Sequence, residues 1–138
     1  GGCSMTTVLL LIAAVGLVAL VAAALIRRKI PRRLNQQYFV KEWRYLQAMC
    51  GNKDTWPLAV INADKLLDVA LKKRRFTGKT MGERMVAAQR KFSNNDGVWF
   101  AHKLRNRLVH EQDVHLREKD VKDALIGIRQ ALKDLGAL

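Results

Sequence analysis

At 138 residues the chain can hold one modest domain plus an accessory segment, and 25 Lys and Arg against 12 Asp and Glu give it a net charge of +13. Its two cysteines, Cys3 and Cys50, make neither a disulfide framework nor a zinc site. No cofactor and no metal-ligand set is expected, and neither internal repeats nor low-complexity tracts appear.

Residues 1–5 form a short N-terminal tail, in which Gly1 to Ser4 read as a remnant ahead of a native start at Met5. Thr6 to Ile26 is almost wholly apolar over 21 residues, and a bilayer-spanning helix needs about 20. No basic region precedes this run and no small-residue cleavage site follows it, so a removable signal peptide is the weaker reading. A buried core helix fits poorly too, because the rest of the chain is too small to wrap a helix that is apolar on every side. Arg27, Arg28, Lys29, Arg32 and Arg33 lie on the C-terminal flank, in a basic juxtamembrane linker over residues 27–34. By the positive-inside rule they place residues 35–138 in the cytoplasm, behind a single span of the inner, cytoplasmic membrane. Anionic headgroups account for these five cations. The domain beyond them still carries 20 basic against 12 acidic residues, or +8. Solubility alone gives such a surplus, but a nucleic acid partner is the sharper reading.

Pro31 ends the apolar helix, with Ile30 biased away from helical geometry. Beyond it the periodicity predicts an all-α domain of four to five helices. Asn35 to Met49 carries Tyr38, Phe39, Trp43 and Leu46 at helical spacing and stops at Cys50-Gly51-Asn52. A second helix starts near Asp54 or Thr55, with Pro57 in its first turn, and runs to the Lys72-Lys73-Arg74-Arg75 cluster. A third opens at Thr80, with Glu83 as a capping-box partner, and reaches Phe92. Ser93 to Gly97 reads as a break. The fourth spans Val98 to about Glu111 and the fifth Arg117 to Leu135. No segment alternates as a strand would.

The fourth of these helices carries the chemistry. At about 100° per residue, Val98, Ala101, Leu104, Leu108 and Val109 fall in one arc, and Arg105 falls inside it. A guanidinium in an apolar stripe costs several kcal/mol, of order 3–5, unless it is paired or functional. His102, Asn106 and His110, four residues apart, form a ridge at the arc's edge. Two readings stand side by side. Arg105 pairs with Asp64, which lies at the margin of the second helix's apolar face, or it meets an anion over the ridge.

The string Arg105-Asn106-Arg107-Leu108-Val109-His110 resembles the R-x4–6-H signature of the HEPN superfamily (higher eukaryote and prokaryote nucleotide-binding domains), in which a polar residue commonly follows the arginine. Position 112, tyrosine in some of its toxins, is glutamine here. The resemblance implies a helical HEPN-like bundle and metal-independent RNA cleavage in a homodimer whose motif-bearing helices face one cleft. It implies that His110 transfers protons, Arg105 holds the phosphate and Asn106 orients the scissile group. His102, Lys103 and Arg107 would add nucleic-acid contacts, as would Lys72, Lys73, Arg74 and Arg75, which otherwise serve as a solvated helix end. The other reading is a non-catalytic membrane-anchored scaffold built on a structural Asp64–Arg105 pair; a third is a nucleotide sensor without turnover. Two further motifs fail. Thr77-Gly78-Lys79-Thr80 lacks the upstream glycine of a phosphate-binding loop, and His110-Glu111-x3-His115 is one residue too long for a zinc-protease helix.

Overall fold

The computed structural model describes residues 2–29 and 32–138. The expected stop at Ile30 and Pro31 lies outside the described residues, as does Gly1 of the expected N-terminal remnant. Two units emerge, Gly1–Pro31 and Arg32–Leu138.

The first unit is one helix, α1 (Gly2–Lys29). It extends past the expected apolar run at both ends, since arginine favours helix nearly as well as leucine. Within Ser4–Arg28 the most apolar 18-residue window has a mean hydropathy of 3.0, and none of that window is buried. By length and composition it can cross a membrane, and a signal sequence meets the same criterion.

The second unit is all-helical among the described residues. It comprises α2 (Gln36–Met49), α3 (Trp56–Lys73), α4 (Met81–Ala88), α5 (Asn95–His110) and α6 (Glu118–Asp134). Single 3-10 turns, Lys53–Thr55 and Gln89–Lys91, lead into α3 and out of α4. Asn35 caps α2 by accepting from Tyr38 N–H, and Thr80 caps α4 by accepting from Glu83 N–H. Glu83 reaches one residue further back than a capping box would, accepting from Lys79 N–H. The core joins Phe39 and Leu46 of α2, Val60, Leu67 and Leu71 of α3, Met85 of α4, Val98 and Leu104 of α5, and Ile128 and Leu132 of α6.

Two boundaries differ from the sequence expectation. The third helix gives way to its 3-10 turn after Ala88, short of Phe92. The fourth starts three residues before Val98, because Asn94 Oδ1 accepts from Gly97 N–H and makes the polar run a cap and first turn. Gly97 also marks where α5 crosses α6. A Cβ on Gly127 of α6 would sit 2.5 Å from the Gly97 carbonyl oxygen. The α5 and α6 backbones therefore touch, and that contact fixes the rotation of α5.

Candidate functional site

The site is built where α5 runs antiparallel to α3. Trp56 and Pro57, at the start of α3, line one cavity with Val114, His115 and Leu116 beyond the end of α5, while Asp64 in mid-α3 meets the middle of α5. Asp64 is only 2 % exposed, so its carboxylate needs partners. His102 Nδ1 donates to it, at 3.0 Å from Oδ1 and 3.3 Å from Oδ2. Arg105 Nε lies 3.6 Å from Oδ2, an ion-pair distance too long for a hydrogen bond. The Asp64–Arg105 contact is thus present, with His102 as the closer partner. His102 accordingly turns inward rather than lining an outer anion ridge.

Arg105 keeps a second role open. Its side chain is 35 % exposed, and Nη1 donates to Asn106 Oδ1 at 2.9 Å. Nη2 meets no protein acceptor among the described residues. The guanidinium is therefore held on two sides and presents an edge to solvent. The apolar arc that surrounds it narrows toward the end of α5, where Leu108 is half-buried and Val109 exposed.

His110 is the last residue of α5 and is exposed. Around the axis it lies about 40° from Asn106, about 20° from Lys103 and about 140° from Arg105. Lys103 and Arg107 are exposed on the side facing α6, and Arg107 Nε lies 3.6 Å from Glu111 Oε2. The outer arc of α5 thus carries Asn106, His110, Lys103 and Arg107, whereas Arg105 and His102 face α3.

The Lys72–Arg75 cluster is not brought to this arc. It begins eight residues past Asp64, about 12 Å further along α3 and away from His110. Lys72 Nζ is 3.3 Å from Asp68 Oδ2. Lys73 Nζ sits 5.2 Å above the Tyr38 ring. Arg74 Nε is buried, and Arg75 ends the helix in left-handed backbone, at φ 63°.

One charged centre escaped the sequence reading. Arg84, 8 % exposed, grips Asp68 with two hydrogen bonds, Nε to Oδ1 at 2.7 Å and Nη2 to Oδ2 at 2.9 Å. Its Nη1 donates to the Gly78 carbonyl at 2.9 Å, tying down the loop before α4. Burial works against the Asp68 charge, but hydrogen bonds and attraction from Arg84 and Lys72 outweigh it and hold the carboxyl below the ordinary aspartate range. Hydrogen bonding to Asp68 raises the Arg84 guanidinium further. The signal was available: Asp64 and Asp68 are one turn apart on α3, and Arg84 falls beside Met81, Met85 and Ala88 around α4. Burial pushes the Cys50 thiol up, and its Sγ donates to the Leu46 carbonyl. Among the described residues no group of three or more His, Cys, Asp or Glu is placed to hold a metal ion. Compared with protein-family models, with curated proteins and with solved structures, the chain matches none.

Proposed function

We propose that the chain is a single-pass membrane protein whose cytoplasmic, HEPN-like domain binds and cleaves RNA through α5. The observation that carries this reading is the state of Arg105. A guanidinium held by Asp64 and Asn106, with a free outer edge, is preorganised for a phosphate. A purely structural pair has no need of that exposed edge.

In the proposed reaction the ribose 2′-hydroxyl attacks the adjacent phosphorus. Its proton passes to His110, the new P–O bond closes a 2′,3′-cyclic phosphate, and the 5′-oxygen leaves and takes up a proton. Histidine is the side chain type suited to such exchange near neutral pH. Arg105 stabilises the charge on the non-bridging oxygens, and Asn106 orients both. Because Arg105 and His110 diverge by about 140° within one copy, the reading needs a homodimer in which α5 of each copy completes the other's site. Exposed Val109 offers that interface apolar surface. For α1, five cations in its last turn and just beyond it support an anchor with the domain in the cytoplasm.

The test uses the full chain in detergent micelles with single-stranded RNA and a chelator. Wild type should cleave, and His110→Ala and Arg105→Ala should each lose about 10²–10⁴-fold in rate with unchanged circular dichroism. No cleavage by wild type, or equal cleavage by all three, defeats the catalytic claim. The Asp64–His102–Arg105 contacts favour a second reading, a non-catalytic scaffold, and that reading gains if Arg105→Ala unfolds the domain.

A further inference from the structure

Beside the motif, α5 and the start of α6 enclose a cavity of about 290 Å³, lined by Phe100, Lys103, Leu104, Arg107, Arg117 and Asp120. Its composition is unlike a packing defect. Phe100 is 40 % exposed and stands just outside the buried arc, about 40° from Leu104 around α5. Leu104 closes the floor and is buried. The rim is cationic. Lys103 and Arg107 stand one turn apart on α5, about 6 Å along the axis. Arg117 is fixed by two hydrogen bonds to Asp120, Nε to Oδ2 at 3.0 Å and Nη2 to Oδ1 at 2.9 Å. That pairing neutralises the one carboxylate of the lining and leaves its sign to Lys103 and Arg107, the latter only in a solvent-screened pair with exposed Glu111 at 3.6 Å.

An exposed aromatic face flanked by cations along one groove is the arrangement that holds single-stranded nucleic acid, bases stacking on the ring while the backbone follows the charge. We propose that this cavity is a base-binding subsite: an unstacked RNA base lies on Phe100, and its flanking phosphates meet Lys103 and Arg107. This deepens the proposed function and rests on it for the choice of RNA. The subsite also assigns work to residues that the cleavage chemistry leaves aside. His110 lies about 20° from Lys103 around α5 and about 10 Å further along it, so a strand held here runs along one side of α5 toward the helix end where proton transfer is proposed. The substrate class is thereby narrowed to single-stranded RNA, because a base inside a duplex has both faces covered by stacking on its neighbours.

The experiment measures fluorescence anisotropy of the full chain in detergent micelles with a labelled 2′-O-methyl hexanucleotide, which binds but cannot be cleaved. A second probe of equal charge carries abasic sites, and a third is duplex. Wild type should bind the intact strand about tenfold more tightly than either. Phe100→Ala should lose that preference, and Phe100→Tyr should keep it. Equal affinity of wild type for intact and abasic strands overturns the subsite, as does a Phe100→Ala chain that still discriminates. The two proposals fail separately. Cleavage without base preference removes the subsite and leaves the nuclease reading standing. Base preference without cleavage does the reverse, and no binding of any probe removes both.

Discussion

The two carboxylates one turn apart on α3 are held in different ways, and the difference is measurable. Asp68 is gripped by a buried guanidinium, whereas Asp64 shares a hydrogen-bonded imidazole and a more distant, one-third exposed arginine. A charge pair with one exposed member is screened, so the Asp64–Arg105 coupling in a double-mutant cycle should be only about 0.5 kcal/mol. The Asp64–His102 coupling, across a buried hydrogen bond, should reach about 1.5 kcal/mol or more. Equal couplings would mean that Arg105 is the structural partner, and its exposed edge incidental. Asp68 makes stability depend on pH. Its carboxyl titrates lower in the folded chain than in the unfolded one, so the stability it contributes is present above about pH 4, the unfolded value, and is lost as pH falls through the lowered folded value. Asp68→Asn should therefore be less stable than wild type by about 3 kcal/mol at neutral pH. The gap should narrow only below about pH 4. Urea denaturation across pH checks this, and a gap that stayed constant down to acid would remove the charge from the explanation.

At the scale of elements, the α5–α6 crossing governs the site, because it sets which way α5 is turned. Gly127→Ala must push two backbones apart at a 2.5 Å contact and should cost about 1–3 kcal/mol. Gly97→Ala meets the end of the Asn94 side chain instead, and should cost about the 1 kcal/mol of a disturbed cap. Denaturant midpoints rank the two, and the opposite order would place the strain in the cap. This crossing also explains how much could be read beforehand. The helices were legible because apolar spacing follows from helix geometry alone, and Asp64 was legible as a partner for Arg105 because it marks the edge of an apolar face. The start of α5 was not, since Asn94-Asn95-Asp96-Gly97 has the composition of a loop and becomes a helix start only through the Asn94 cap. The inward turn of His102 was hidden too: a ridge at an arc's edge goes in or out with the rotation of its helix. Arg84 was missed because it stands at the edge of α4's apolar arc, about 40° from Ala88, and not inside it as Arg105 does.

For the whole molecule, the question is whether the +8 of the domain acts as a diffuse field or through particular side chains. The fold separates the candidates, with Lys72 and Lys73 at one end of α3 and Lys103 and Arg107 on the outer arc of α5. Counterion release reads the number of phosphates engaged, at about 0.7 per contact on single strands. Engagement by Lys103, Arg105 and Arg107 then gives a slope of log affinity against log salt of about −2. Lys103→Ala with Arg107→Ala should flatten this to about −0.7, one remaining contact. Lys72→Ala with Lys73→Ala should lower affinity little and leave the slope unchanged, because those lysines are occupied by Asp68 and Tyr38 far from His110. A diffuse field would instead flatten the slope equally for both pairs. In that case the strand would wander over the basic surface, and Arg105 would be left with no particular phosphate to hold.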